Sequence, residues 1–360
     1  MFAKRPQPAG GPPAPQFQVP AFAQGLLANP AVSVGAAGTL FLLAVLALVA
    51  VTGDPRAGAP RVRISLGQAG SSPSVFGDAG SSLLGGGPSV TTVGADGQPA
   101  PLPPAPITGL TAPGPGGLLP VIGPDGRTPA QAYARPFRDT GAPKVALVIG
   151  GLGLNSKITL QAIEQLPPEV TLSFVPYADG LQGWIDQARI HGHEVLLEAP
   201  MEPVDYPQND PGPFTLMAQD PGPETIKRLE WLLSRASGYF GVTNYLGGRF
   251  LASDQAVTTL TTALRQRGLA FIDDGSAAGR AGGGAPRASA ERVIDANLDG
   301  GSITQELSAL EGSARQHGRA LGSGFAYPVT LQQVQQWASG LSGRGLVLAP
   351  ASAVMSARGQ

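Results

Sequence analysis

Several short stretches at the ends of apolar runs carry side chains able to do chemistry. Val195-Leu-Leu197 leads into Glu198-Ala-Pro-Met-Glu-Pro203, and Ala270-Phe-Ile272 leads into Asp273-Asp274. Carboxylates such as Glu198, Glu202, Asp273 and Asp274 can move protons or hold a hard divalent cation through oxygen. Asp273-Asp274 also reads as a plain solvated strand end. Three histidines are present: His191 and His193 flank a glycine before an apolar run, and His317 closes a helical stretch, where a cation suits the dipole. Those settings read as structural. Tyr177, Trp184, Tyr206, Phe214, Tyr239 and Tyr245 are aromatics able to stack on sugar rings, or else core and rim residues. Gly150-Gly-Leu-Gly153 follows an apolar run and precedes a helical one. Ser156 stands at the third glycine position of a dinucleotide motif, and no acidic residue ends the next strand, so tight-turn glycines are the better reading.

Composition removes whole classes of function. The chain has no cysteine, which excludes disulfides, cysteine zinc sites and thiol nucleophiles. Its formal net charge of −1 supplies no basic stripe, so nucleic acid is not an expected partner. The 51 glycines and 36 prolines among 360 residues gather mostly before Pro143, which leaves about 215 residues for one good-sized core.

The elements that must position these side chains begin near Lys144. Val145-Ala-Leu-Val-Ile149 is continuously apolar, as a strand covered on both faces would be. A helix follows from Ser156, a possible N-cap, to Gln165; then a strand over 170–175, a helix over 183–190 and a strand over 193–197. Helical spacing recurs at Ile226, Leu229, Leu233 and Ala236, and again at Val257, Leu260 and Leu264 after a cap at Ser253 or Asp254. A strand at 270–273, a helix over 302–316, a short strand over 319–322, a helix over 331–337 and a strand at 346–348 complete the series. Thr243 to Phe250 reads as a loop. Alternation of this kind demands a parallel sheet with helices outside, open or closed into a barrel, and places chemistry where strands end.

Upstream the texture differs. Residues 1–30 read as a disordered tail. Residues 31–52 read as a membrane anchor with an aliphatic core over Leu40–Val51; a cleaved signal peptide would have a shorter core and fewer residues ahead of it. Lys4 and Arg5 before the span and Arg56, Arg61 and Arg63 after it leave its orientation undecided by charge. Residues 53–142 read as a Gly/Pro/Ala/Ser-rich disordered tether, too sparse in apolar residues for a small β domain.

The loop stretches, in their order, resemble the divergent polysaccharide deacetylase family over about residues 143–352. Gly192-His-Glu-Val-Leu-Leu197 followed by Pro200-Met-Glu-Pro203 is the most specific piece; Asn244, Gly247, Arg249 and Phe250 keep a second motif, and Gly268-Leu-Ala-Phe-Ile-Asp273 a third. The resemblance implies a distorted (β/α) barrel of the polysaccharide deacetylase type over 143–355, an envelope location, and relatives in which a divalent metal activates water against an acetamide. The departures are as informative. Gly150 and Gly151 stand where the family has two aspartates. Glu198, Tyr245 and Phe325 stand at three histidine positions, and Gly248 replaces a serine. A tyrosine or phenylalanine does not replace imidazole at zinc.

The expectation is therefore a single-pass protein of the cytoplasmic membrane, its domain on the periplasmic side, with a deacetylase-like cleft that binds envelope polysaccharide or an envelope protein and is catalytically degenerate. Tyr245, Asn244, Arg249 and Glu198 are the expected cleft residues, although Arg249 equally suits a structural salt bridge. No cofactor is expected. The alternative is an active metal-dependent hydrolase with rebuilt ligands Glu198, Asp273 and Asp274, a set that suits Ca²⁺ or Mg²⁺ better than zinc, and with Asp273 or Glu202 as its acid–base group. A third reading is a tethered interaction module, since about 90 flexible residues span about 50 Å.

Overall fold

The computed structural model describes residues 100–355. The tail (1–30), the expected anchor (31–52) and residues 53–99 of the expected tether lie outside the described residues. Among those described, no helix is long and apolar enough to cross a membrane.

A hairpin, β1 (Thr111–Gly114) and β2 (Gly117–Pro120), and a short helix α1 (Pro129–Tyr133) come first. Strands and helices then alternate: β3 (Lys144–Leu152), α2 (Ser156–Gln165), β4 (Thr171–Phe174), α3 (Leu181–Ile190), β5 (Val195–Met201), α4 (Gly222–Leu233), β6 (Gly241–Leu246), α5 (Asp254–Gln266) and β7 (Ala270–Asp273). The chain continues through β8 (Arg287–Ser289), β9 (Arg292–Val293), α6 (Gly300–His317), β10 (Arg319–Phe325), α7 (Pro328–Ser339) and β11 (Val347–Leu348).

From β3 onward every strand pairing is parallel, in the order β8-β7-β6-β5-β4-β3-β10-β9, with β11 beside the start of β3. The two edge strands are joined by Ala290 and Glu291 alone. Ala290 donates its N–H to the Asp273 carbonyl at 2.7 Å, and Glu291 donates to the Leu321 carbonyl at 2.8 Å. Consecutive residues thus bond to strands beside opposite edges, so the sheet must curl until those edges approach. Helices cover its outside. Along β3, Val145, Leu147 and Ile149 enter the large core beneath the helices, while Ala146 and Val148 enter a smaller core on the other face. Both faces are buried, which is why the run shows no polar alternation.

That inner core corrects the expected domain boundary at 143. Its N-terminal end is filled by Leu110, Ala130 and Tyr133 from before β3 and by Ala351 and Val354 from after β11. Residues 100–142 are therefore part of the fold and not tether. Their composition hides this because they contribute isolated plugs rather than a periodic face. The segment is also fastened by polar bonds. The buried Arg189 guanidinium donates to the Pro103 carbonyl at 2.8 and 3.0 Å, to the Tyr133 carbonyl at 3.0 Å and to the Gly238 carbonyl at 2.9 Å. Burial lowers its pKa to about 10. Buried Glu194 accepts from the Arg135 N–H at 2.9 Å and from the Ser352 hydroxyl at 2.6 Å, joining the segment before β3 and the turn after β11 to the base of the sheet.

Two local expectations also change. Asn155, not Ser156, caps α2, its side chain accepting from the Ile158 N–H at 3.1 Å. The stretch expected as a loop from Thr243 begins inside β6, whose polar Thr243 and Asn244 face the interior near the strand's end. At α5 the cap is Ser253, one of the two residues expected there.

Replacing Arg189 by methionine keeps the apolar stem and leaves buried carbonyls without donors. Urea unfolding is expected to show a loss of about 3 kcal/mol; a change below about 1 kcal/mol would mean that the segment before β3 is not held by this side chain.

Candidate functional site

The C-terminal ends of the strands open into a cleft of about 500 Å³. Tyr177, Tyr245, Phe325 and Tyr327 supply aromatic walls, Leu154 a rim, and Glu198 lies at its floor. A smaller chamber of about 60 Å³ lies beside it, shares Glu198, Leu246 and Phe325, and is lined by Ser173, Asn244, Asp274 and Ser323.

Glu198 projects from β5 and is 2% exposed. One oxygen, Oε1, accepts from the Gly151 N–H at 2.6 Å and from the Ser173 hydroxyl at 2.9 Å. The other, Oε2, is buried and has no partner; the Ser323 hydroxyl oxygen is in the same condition. Desolvation raises the Glu198 pKa to about 7 against the lowering effect of the two hydrogen bonds.

The glycines at the end of β3 fit this carboxylate sterically. A Cβ at Gly150 would stand 2.7 Å from Ser173 Oγ and 2.8 Å from Glu198 Oε1. At Gly151, φ is +75° and a Cβ would stand 3.2 Å from the Phe325 ring. Phe325 meets Tyr245 edge-on, with centroids 6.1 Å apart and planes at 82°. Five of the six positions that depart from the family pattern, Gly150, Gly151, Glu198, Tyr245 and Phe325, are thus packed against one another. Burial first, and the Glu198 charge second, raise the Tyr245 pKa.

Other expected site residues are spent on structure. Asp273 is 1% exposed, not a solvated strand end. Its Oδ1 accepts from the N–H groups of Gly275 and Ala277 at 2.9 and 3.1 Å. Its Oδ2 accepts from the Ser289 hydroxyl at 2.6 Å and lies 3.4 Å from an Arg287 nitrogen. Glu202 accepts from Arg249 at 3.0 Å and from the Ala218 N–H at 2.7 Å, so the alternative reading of Arg249 as a salt-bridge residue is the one seen. With both carboxylates saturated, neither is placed as the acid–base group. Asn244 accepts from the Asp274 N–H at 3.0 Å and donates to the Leu246 carbonyl at 2.7 Å, bracing the mouth of the chamber. Asp274 lines the chamber, with its Oδ1 accepting from the Ser276 N–H at 3.0 Å.

The rebuilt ligand set of Glu198, Asp273 and Asp274 is therefore not assembled. Among the described residues no group of three or more His, Cys, Asp or Glu side chains could hold a metal ion. The space at the end of β3 where the family's metal-binding acids would project is occupied by Glu198 against two glycines, so these residues do not fit the family's metal.

The histidines stand apart from the cleft. His193 is fully buried, with ring nitrogens 2.8 and 3.1 Å from the Val170 and Ile163 carbonyls, and desolvation lowers its pKa to about 4. His191 contacts the Gln187 carbonyl at 2.9 Å. Of the other aromatics, Trp184 and Tyr239 are buried in the core and Phe214 stacks on Trp231 at 3.6 Å. Sequence reasoning missed Ser173, Ser323, Tyr327 and Asp210. No motif marks them, and only strand register brings the first two beneath Glu198.

A family model for "Divergent polysaccharide deacetylase" matches residues 147–355. The crystal structure of an uncharacterised protein from Agrobacterium tumefaciens is similar at 40% identity and a TM-score of 0.63, covering 66% of this chain and 99% of its own. An uncharacterised protein of Haemophilus influenzae is 24% identical over 198 residues, which are 53% of this chain and 70% of that protein. The protein YibQ of Escherichia coli is 21% identical over 201 residues, 54% of this chain and 62% of its own length.

Glu198 gives this site a pH signature. Its carboxyl keeps its proton up to about pH 7 when folded, against 4.5 for a freely solvated glutamate. Between those values the folded chain binds more protons than the unfolded one. The group's contribution to stability is therefore greatest at low pH and declines as pH rises to about 7, by on the order of 3 kcal/mol. Denaturation series at several pH values are expected to show a shallower decline for Glu198→Gln than for the parent chain; parallel curves would refute the raised pKa.

Proposed function

The chain belongs to the divergent polysaccharide deacetylase family, and we propose that it binds envelope glycan in its cleft without carrying out the family's metal-dependent deacetylation. The observation that carries this reading is the interlocked set of Gly150, Gly151, Glu198 and Phe325, which stand where the family pattern has acids and histidines and pack on one another below an aromatic-walled cleft. Aromatic faces suit the apolar faces of pyranose rings, and a carboxylate at the floor suits donors such as hydroxyl and amino groups. The walls are held in place before any ligand arrives. Tyr177 accepts from the Phe214 N–H at 3.1 Å, and the Glu202–Arg249 bridge ties the loop after β5 to the loop after β6. Preorganisation of this kind lowers the entropic cost of binding.

In this reading the apolar stretch at 31–52 anchors the chain in the cytoplasmic membrane, and residues 53–99 give the domain reach on the outer side. An envelope glycan is then the ligand within range, and an envelope protein is the competing partner.

One observation favours a hydrolytic reading instead. Glu198 has a free oxygen and a pKa near 7, where a general base works best. Acetate release from an N-acetylated glycan by the intact chain, abolished in Glu198→Gln, would establish that reading over the binding one.

Binding is tested by calorimetric titration of N-acetylated and non-acetylated amino-sugar oligosaccharides into the full chain. Tyr245→Ala is expected to weaken whichever oligosaccharide binds by about tenfold, the scale of one lost aromatic contact. Absence of binding to every oligosaccharide, alongside reproducible capture of one envelope protein, would replace the glycan by a protein partner.

A further inference from the structure

We infer that the cleft selects amino sugars whose amino group is free, seating the organic ammonium against the unpartnered oxygen of Glu198. The inference rests on the glycan-binding reading and adds the chemical class of the ligand.

Three observations lead to it. Glu198 Oε1 is saturated by the Gly151 N–H and the Ser173 hydroxyl, whereas Oε2 is buried with no donor. A buried carboxylate oxygen without a donor is costly and is relieved by a ligand that brings one. The charge around it is of one sign. Among the described residues, the groups lining the two spaces include the carboxylates of Glu198, Asp210 and Asp274 and no lysine, arginine or histidine. Such a lining repels uronate, phosphate and sulfate groups and attracts cations. The walls are also right for a cation: Tyr245, Phe325 and Tyr327 line the cleft beside the carboxylate, and aromatic faces attract ammonium groups within about 6 Å.

These features separate an ammonium from an acetamide. An ammonium brings three donors and a full charge to Oε2. An acetamide brings a single N–H, no charge, and a carbonyl oxygen that the Glu198 and Asp274 carboxylates oppose.

Proton linkage follows from the same geometry. Among the described residues that line the two spaces with Glu198, the ionisable ones are Tyr177 and Asp210 from the loops after β4 and β5, Tyr245 from β6, Asp274 beyond β7 and Tyr327 beyond β10. Asp295 lies behind this shell, accepting from the Phe325 N–H at 2.7 Å. Near pH 7 about half of the Glu198 carboxyls carry a proton, and seating an ammonium must release it. Affinity therefore falls by about tenfold per pH unit once the pH drops well below 7.

The test compares glucosamine oligomers with their fully N-acetylated counterparts, titrated into the full chain in detergent near pH 7.5. The expected result is binding of the free-amine oligomer at least about tenfold tighter, with that preference abolished in Glu198→Gln. Heats measured near pH 6, where the amino group is already charged and most Glu198 carboxyls are protonated, in two buffers of different ionisation enthalpy are expected to show proton release with the amine alone, a readout that needs no variant. Equal affinity for the two oligomers, or an amine preference that survives in Glu198→Gln without proton release, would overturn the inference and leave glycan binding standing. Failure of both oligomers to bind would overturn the glycan reading as well.

Discussion

The contact between the Glu198 carboxylate and the end of β3 is the constraint on which the rest of the site depends. At Gly150 any side chain would enter the first contact shell of Glu198 and Ser173, and at Gly151 a backbone with φ of +75° meets the Phe325 ring. Neither glycine can regain a carboxylate unless Glu198 and Phe325 withdraw. The departures from the family pattern are therefore sterically coupled: a strand-borne glutamate and an aromatic ring take the volume that side chains at Gly150 and Gly151 would need. The two hydrogen bonds to Oε1 only partly offset the desolvation of this carboxylate. The remaining imbalance appears as a raised pKa and an unpartnered oxygen, which together give the cleft its chemistry.

Around this contact other polar residues act as fasteners. Asp273 gathers two backbone N–H groups, a serine hydroxyl and a guanidinium to fix the turn after β7. Glu202 and Arg249 tie two strand-end loops together, and Asn244 locks Asp274 to Leu246. Such networks cost much when a partner is removed, because each leaves a buried group unpaired. They keep the walls rigid, so a ligand has little disorder to overcome. At the opposite end of the curl, the segment before β3 and the turn after β11 plug the inner core. The cleft thus opens at one end of a scaffold whose other end is filled.

Much of this was legible in the chain. The unbroken apolar run at 145–149 foretold a strand covered on both faces, and the alternation after it foretold a parallel sheet with its chemistry at the strand ends. The replacements at Gly150, Gly151, Glu198, Tyr245 and Phe325 were readable as departures from a family pattern. Their mutual fit was not, because register and side-chain reach are three-dimensional facts. Carboxylates were legible as chemistry but not as occupied or free. Asp273 and Glu202 differ from Glu198 only in the donors that surround them, and those donors lie 2 to 47 positions away along the chain. Residues 100–142 were illegible for a different reason: a segment that buries one residue at a time leaves no period to detect.

The central claim is that Glu198 and its glycines have replaced a metal centre with a carboxylate-floored cleft. Elemental analysis of the purified full chain, after dialysis against zinc, magnesium and calcium in turn, tests it most directly. The account predicts no divalent metal at stoichiometric level and no change on replacing Glu198. One equivalent of metal retained through dialysis, and lost in Glu198→Ala, would contradict it.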